Sequence, residues 1–285
     1  MVSWVEARRL VLAIEEKTGL EDCSVFMALG RAWGQKIKAL PQLEPGMTLG
    51  AAHVALLAQT GLTKIQVYVP TAIAFAGLES GAKIRSTADK SPSDLMLIAA
   101  TQQIGLIPVD MGAVPPDPEL ISAAIRRGLD MAHLFCTVGM KTALSAAQWK
   151  NLLTDLNARI VFDQVAQQLG GTLCFTELED GWWFDLPKAP PDALACFEIY
   201  VRPLARKMAG HSIFDLPQAT GFFRSSISCD PDLERLVWVK ADWVKNSYRL
   251  TVLGDDLLPA NALAVIPMGQ GNLSVEDPVS IFLPG

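Results

Sequence analysis

The chain has 285 residues, half of them hydrophobic, and carries a formal net charge of −6 at pH 7. A negative chain without a dense stripe of Lys and Arg is not expected to bind nucleic acid. No stretch reaches the roughly 18 uninterrupted apolar residues that a membrane helix needs, and Glu6, Arg8 and Arg9 near the start do not fit a signal peptide. We therefore expect a cytoplasmic, globular protein that does not contact a membrane.

The predicted elements begin with helices. Apolar residues recur at helical spacing over residues 2–17 and 24–39, and a third helix is predicted over residues 50–59. Residues 64–68 alternate between polar and apolar side chains, which is typical of a strand. The pattern predicts a helical N-terminal segment over residues 1–60.

The central part of the chain alternates between short apolar runs and longer helical stretches. The predicted strands are residues 72–76, 106–111, 133–137 and 160–165, and the helices are residues 92–104, 117–128 and 145–156, followed by a hairpin at 171–184 and a helix at 191–208. Strands separated by helices of this length indicate parallel crossover units. We predict an α/β sandwich with a mainly parallel sheet over residues 61–212.

The carboxyl-terminal part changes to short strands without long helices. These strands are predicted at residues 222–227, 236–239, 248–252, 262–267 and 278–283. They indicate a small β domain over residues 213–285, so the whole chain belongs to the α/β class with a β domain at its end.

Cysteine, histidine and hydropathy set further expectations. The five cysteines and three histidines are scattered, which argues against a disulfide framework and against a zinc site, so no metal is predicted. Cys136 and Cys196 have apolar neighbours and are expected to be small buried core residues. The mean hydropathy of +0.27 is high for a soluble protein and indicates apolar surface covered by a partner, first of all in a homodimer.

Three loops follow predicted strands at the edge where parallel sheets bind ligands, at residues 77–81, 137–141 and 186–191. A helix opened by Pro92, with Ser91 as its N-cap, would point its positive end into the same crevice. The catalytic residue is unknown, with Glu79 as the candidate. The predicted ligand-binding residues are Glu79, Ser91, Ser93, Asp94, Thr137, Gly139, Lys141 and Lys188. The alternative is that both lysines are solvated residues of surface loops.

Five segments resemble, in the right order, the molybdopterin molybdenumtransferase family, which inserts molybdenum during cofactor assembly and includes the C-terminal part of gephyrin. They are EAR at 6–8 with ALGR at 28–31, QTG at 59–61 leading to VY at 67–68 and Pro70, GAVPPDPE at 112–119, FEIYVRP at 197–203 and PANALAVIP at 259–267. The resemblance implies a molybdopterin-binding-like central domain, molybdopterin as the cofactor, and a homodimer. It also implies a molybdoenzyme or a cofactor-assembly protein as a further partner.

The departures from the family fall on its motif positions. Where the family has G-D-E-L the chain has GLES at 77–80, T-S-G-G-V-S is replaced by TVGMK at 137–141, and L-P-G-N-P is replaced by LPKAP at 186–190. The acidic S-V-G-D-Y-D segment and the inserted second domain have no counterpart. Oxygen-rich sites for molybdate or magnesium need several converging carboxylates, so the family's catalysis is not expected here.

Three functions stay open. The first is a catalytically degenerate protein of the molybdenum cofactor pathway that binds the pterin or a partner. The second is a non-catalytic scaffold or interaction protein, because gephyrin uses the same fold for scaffolding. The third is an active molybdenumtransferase with a rebuilt site. Whether the chain is an enzyme is left open, and the loss of motif residues favours the first two.

Overall fold

The computed structural model describes residues 1–78, 91–254 and 256–284. Its α-helices are α1 (Trp4–Leu12), α2 (Ala51–Gln59), α3 (Pro92–Gln103), α4 (Pro118–Leu129), α5 (Met140–Ala143), α6 (Ala146–Asp155), α7 (Pro190–Cys196) and α8 (Arg202–Met208), with a 3-10 turn at Val25–Met27 and a π-helical turn at Phe197–Val201. Its strands are β1 (Leu20–Ser24), β2 (Lys64–Tyr68), β3 (Ala72–Leu78), β4 (Ile107–Val114), β5 (Leu134–Val138), β6 (Arg159–Phe162), β7 (Gln167–Gln168), β8 (Cys174–Leu178), β9 (Gly181–Leu186), β10 (Gln218–Phe223), β11 (Ile227–Ser228), β12 (Glu234–Val244), β13 (Ser247–Val252), β14 (Ala262–Ile266), β15 (Asn272–Leu273) and β16 (Pro278–Phe282).

The central sheet has six strands in the order β4-β3-β5-β9-β8-β6. The first four strands are parallel, and β8 and β6 join them in antiparallel pairing. The predicted parallel α/β region is confirmed, and so is the hairpin, which is formed by β8 and β9. Every residue of β5 is buried because helices cover both faces of the sheet.

The two faces of this sheet pack against different helices. Ile73 and Phe75 of β3 belong to a core shared with α1, α3, α7 and α8, whereas Ala72 and Ala74 belong to a second core shared with α4 and α6. This division follows from the alternation of side chains along a strand. Cys136 and Cys196 are both buried in the first core, as predicted.

The helix predicted over residues 24–39 is wrong. Strand β1 pairs in antiparallel register with β2, and isolated bridges join Ala32 to Thr48 and Trp33 to Val67. Gly30 has a φ of +79°, which an L side chain rarely adopts, and so the helix cannot continue there. Trp33 is fully buried in a small core of this segment, and that burial overrides the local apolar spacing. The helix predicted over residues 2–17 ends earlier, at Leu12.

The carboxyl-terminal region is a β domain, as predicted. Strands β13-β10-β16-β14-β12 form a ring, because β13 also pairs with β12, and the interior is filled by apolar side chains that include Val239 and Ile281. Strand β7 adds to this sheet from the central region through parallel pairing with β12. The Trp238 indole donates to the Pro191 carbonyl at 2.9 Å, which fixes the barrel against the start of α7. In the part of the chain that the structure describes, no helix has the length and apolar character required to cross a membrane.

Candidate functional site

The carboxyl edge of the parallel strands brings the predicted loops together. The Ser93 hydroxyl donates to the Lys188 carbonyl at 3.2 Å, and a Cβ placed on Gly139 would lie 2.9 Å from the Cβ of Lys188. A Cβ on Gly77 would collide with the Asp94 carboxylate. The ends of β3, β5 and β9 and the start of α3 therefore meet at one edge. Glu79 lies outside the described residues.

A buried carboxylate that the sequence reasoning missed organises this edge. Asp185, at the end of β9, accepts hydrogen bonds from the Thr137 hydroxyl at 2.7 Å and from the backbone N–H groups of Met140 and Lys141 at 2.8 Å each. Burial raises the pKa of Asp185, although these donors and the Lys141 charge act to lower it. The sequence does contain a signal for this role, because Asp185 is an acidic residue among apolar residues near the end of a strand. A carboxylate that is buried there must find hydrogen-bond partners inside the protein.

The loop after β5 is shaped to supply those donors. Gly139 has a φ of +67°, which turns the backbone so that the next two N–H groups point towards Asp185. The Thr137 hydroxyl is fully buried, and it accepts a hydrogen bond from the Trp183 indole at 2.9 Å. Two of the three predicted ligand-binding residues of this loop, Thr137 and Gly139, therefore make internal contacts, and the Gly139 N–H donates to the Leu186 carbonyl at 2.7 Å.

The two lysines of the edge differ in their surroundings. The Lys141 ammonium donates to the carbonyl and to the carboxylate of Asp163, at 3.1 Å each. Lys188 is exposed and forms no ion pair with a described residue. Their backbones lie close together, but only Lys188 has an ammonium that is available to a ligand.

The N–H groups in the first turn of α3 also have hydrogen-bond partners inside the protein. Ser91 is the N-cap, as predicted, and its hydroxyl oxygen accepts from the Ser93 N–H at 3.3 Å. Its carbonyl accepts from the N–H groups of Asp94 and Leu95, at 3.1 and 3.3 Å. Ser93 and Asp94 are buried. The hydroxyl proton of Ser91 is the donor that this turn can still offer to a ligand.

Among the described residues, the electrostatics of the edge favour one bound anionic group. The amides after Gly139 face a carboxylate that already occupies them, and the donors that the described part of the edge still offers are the Lys188 ammonium and the Ser91 hydroxyl. Within residues 1–78, 91–254 and 256–284, no group of three or more His, Cys, Asp or Glu side chains is placed to hold a metal ion.

Known proteins resemble the chain in sequence and in fold. The molybdopterin molybdenumtransferase of Staphylococcus epidermidis is 23% identical over an alignment of 266 residues that covers 88% of this chain and 63% of that protein. The enzyme of the same name from Haemophilus influenzae is 23% identical over 180 residues, 61% of this chain and 44% of that protein. The chain thus spans less than two thirds of the length of these curated relatives. No protein-family model matches it.

Two solved archaeal structures share the complete fold. The molybdopterin biosynthesis MoeA protein from Pyrococcus horikosii superposes with a TM-score of 0.80 at 14% identity, covering 100% of this chain and 99% of that one. A molybdenum cofactor biosynthesis protein from Pyrococcus furiosus gives a TM-score of 0.79 at 17% identity and covers 99% of both chains. The fold that the sequence resemblance implied is confirmed.

Proposed function

We propose that this chain, which is MoeA-like in sequence and fold, acts in molybdenum cofactor biosynthesis by binding the pterin or a pathway partner and does not insert molybdate. The sequence similarity to curated molybdopterin molybdenumtransferases supports the pathway. The chemistry of the carboxyl edge supports the loss of insertion.

The observation that carries this proposal is the position of Asp185. Its carboxylate takes the Thr137 hydroxyl and the two amides that follow Gly139, where an oxyanion would otherwise be bound. Molybdate would have to displace an internal carboxylate, and each hydrogen bond to that charged group contributes about 1.5–3 kcal/mol. The Lys141 ammonium, which could have compensated, is paired with Asp163.

A pterin ligand would need fewer hydrogen-bond donors at this edge than molybdate would. Lys188 and the hydroxyl of Ser91 fit a single anionic group, because together they supply an ammonium and a neutral donor from neighbouring loops. If molybdopterin binds here, these two residues would hold its anionic end. The pterin would supply the dithiolene chemistry of the cofactor, and this chain's residues would bind and orient it.

The test is equilibrium dialysis of the purified protein against molybdopterin. We expect saturable binding that weakens about tenfold in Lys188→Met, because one charge-assisted contact is lost. Lys141→Met is the matched control, and it should bind as the unmodified protein does because its ammonium already faces Asp163. Equal weakening in the two variants, or no binding at all, would contradict the pterin assignment.

The absence of insertion has its own test. Molybdate-dependent cofactor formation should stay at background when adenylylated pterin and molybdate are supplied to the protein. Restoration of a strain that lacks its molybdenumtransferase by this protein alone would show that an active site has been rebuilt, with Glu79 as the first residue to substitute.

An interaction role has a specific observation in its favour. Phe26, Met27 and Leu29, which follow β1 in one turn, are 88%, 73% and 65% exposed. A contiguous apolar surface of this kind is typical of a contact between proteins. Under this second function the patch joins two copies of the chain, and light scattering should give a dimer mass that Phe26→Ser with Leu29→Ser reduces to the monomer mass.

A further inference from the structure

A cavity lies between the central region and the β barrel, away from the carboxyl edge. Its volume is about 390 Å³, and its walls come from the outer face of α3, from α7 and α8, and from the barrel. Apolar side chains that include Met96, Ile104, Leu194 and Leu257 form most of the lining. The volume falls within the roughly 300–1,000 Å³ that ligand pockets usually have.

The polar part of the lining contains a buried ion pair, beside Gln103 and Asn261. Arg202 Nη1 donates to Glu198 Oε2 at 2.7 Å and to the Pro284 carbonyl at 2.6 Å. The two side chains are 14% and 7% exposed, respectively. These two contacts use both hydrogens of Nη1.

The rest of the guanidinium has no partner in the part of the chain that the structure describes. Neither Nε nor Nη2 of Arg202 has a partner among the described residues, and neither is a fully enclosed atom. These two nitrogens form the edge of a guanidinium that binds a carboxylate through two parallel hydrogen bonds. Arg202 therefore lines a mostly apolar cavity with a guanidinium whose Nε and Nη2 edge has no partner among the described residues.

Two further features separate this pair from an ordinary structural ion pair. Replacing a buried ion pair by apolar residues of similar volume is often neutral or stabilising, so packing alone does not call for one here. The pair also spans the π-helical turn at Phe197–Val201, where the Arg202 N–H bonds to the Phe197 carbonyl. Such turns are rare and occur frequently at functional sites.

We propose that this inter-domain cavity is a binding site for a small organic carboxylate, whose carboxyl group pairs with the Nε and Nη2 edge of Arg202 and whose apolar body lies against α3 and Leu257. Glu198 holds the guanidinium in place from the other side. The site is separate from the carboxyl edge, and its occupancy does not depend on whether the chain binds a pterin.

Titration calorimetry with three ligands that share one alkyl chain tests which head group the cavity binds. Octanoate, octanol and octylamine share the same alkyl chain and differ in charge. We expect saturable binding of octanoate, weaker binding of octanol and no binding of octylamine. Equal affinity for octanoate and octanol, stronger binding of octylamine, or no saturable binding of octanoate would overturn the proposal.

Variants of the ion pair test the assigned edge. Arg202→Lys keeps the charge but loses the two-nitrogen edge, and octanoate should bind about tenfold more weakly to it. Glu198→Gln removes a negative charge beside the ligand and should strengthen octanoate binding by about threefold or more. A purely structural ion pair would instead lower thermal stability in both variants and move neither affinity, which would also overturn the assignment.

A third pair of variants tests the location without touching the ion pair. Ala99 is exposed on α3 and lines the cavity, so Ala99→Phe should fill it and abolish octanoate binding while the protein remains folded. Ala147→Phe is the matched control, because Ala147 is exposed on α6 at the opposite face of the sheet. Unchanged binding in Ala99→Phe, or loss in both variants, would place octanoate elsewhere.

Discussion

The carboxyl edge of the central sheet and the inter-domain cavity each contain a buried carboxylate, and the two differ in what surrounds it. Asp185 at the edge accepts three internal donors, and the amides that could have met a ligand are thereby consumed. Glu198 in the cavity binds one nitrogen of Arg202, and the other two nitrogens have no partner among the described residues. Burial raises the pKa of both carboxyl groups. Burial of a carboxyl group therefore does not by itself indicate a ligand-binding site. Hydrogen-bond donors that have no partner within the protein are the better indication.

The largest expected effect is at the carboxyl edge. Asp185→Ala leaves the Thr137 hydroxyl and the amides of Met140 and Lys141 without an acceptor in a buried position. We expect a loss of about 3–5 kcal/mol in the free energy of unfolding, measured by urea denaturation. Asp185→Asn keeps the shape of the side chain and should lose less. A loss below about 1 kcal/mol for the alanine variant would mean that this edge is looser than its contacts imply.

In the cavity, the loss in the free energy of unfolding that follows from removing one charged residue should be reversed by also replacing its partner. Arg202→Met alone strands Glu198 in a buried position and should destabilise by about 3–5 kcal/mol, whereas Arg202→Met combined with Glu198→Gln should cost about 1 kcal/mol or less. No such rescue exists for Asp185, because two of its three partners are backbone N–H groups, which a substitution cannot remove. If the double variant is as unstable as the single one, the ion pair is a structural clamp and the contrast between the two regions fails.

The pH dependence of the free energy of unfolding provides a third test. His211 lies outside both regions and has a lowered pKa, whereas the pKa values of Asp185 and Glu198 are raised. Burial, together with the charges of Arg206 and Arg31, lowers the pKa of His211 to about 4, and His211 Nδ1 lies 2.7 Å from the Thr48 hydroxyl. A depressed pKa contributes stability above the ordinary value of 6.5 that is lost as the pH falls towards about 4, and this loss should reach about 3 kcal/mol.

The same titration separates His211 from the buried carboxyl groups. The raised pKa of Asp185 stabilises the fold most at low pH, and this contribution falls as the pH rises above the ordinary value of 3.8. A fall in stability on acidification from pH 6.5 to pH 4 should therefore come mainly from His211, because the other groups with a lowered pKa, such as Glu6 and Glu15, are exposed carboxyl groups whose ion pairs contribute little. In His211→Gln the fall should largely disappear, and a profile identical to that of the unmodified protein would contradict the assignment.

The smallest expected effect concerns the ion pair between Lys141 and Asp163. Both side chains are partly exposed, at 25% and 49%, and so Asp163→Asn and Lys141→Met should each change the free energy of unfolding by less than about 1 kcal/mol. The double variant should lose little beyond either single one, because the pair is broken once. A larger, additive loss would show that Lys141 supports the loop after β5 through its alkyl chain.

The parts of the fold that the sequence predicted have local signals. Helices α3, α4 and α6 have the N-cap residues Ser91, Asp117 and Ser145, whose side chains accept from N–H groups of the first turn, and β3 is a continuous apolar run. Strand β1 has no such signal. Its five residues are extended because β2 lies beside them, and the misleading apolar spacing of residues 24–39 begins where β1 ends.

The position of the candidate site was predictable from the sequence, but the hydrogen bonds to Asp185 that occupy its donors were not. Parallel strands separated by helices place the loops at 77, 137–141 and 188 at one edge, and that follows from topology. The role of Asp185 follows from register, because β5 and β9 pair with Thr137 opposite Asp185. No spacing in the chain shows which strands are neighbours in that register, and so a carboxylate 48 positions away from Thr137 could not be assigned to it.

The pairing of β7 with β12 has a consequence for cooperativity. A single core contains Phe197 and Leu204 of the central region together with Trp238, Leu263 and Phe282 of the barrel, and the two-residue strand β7 hydrogen-bonds across the boundary. Neither region can lose its structure without exposing part of the other's interior. Calorimetric heating should therefore show one transition whose van't Hoff and calorimetric enthalpies agree, as for a single cooperative unit.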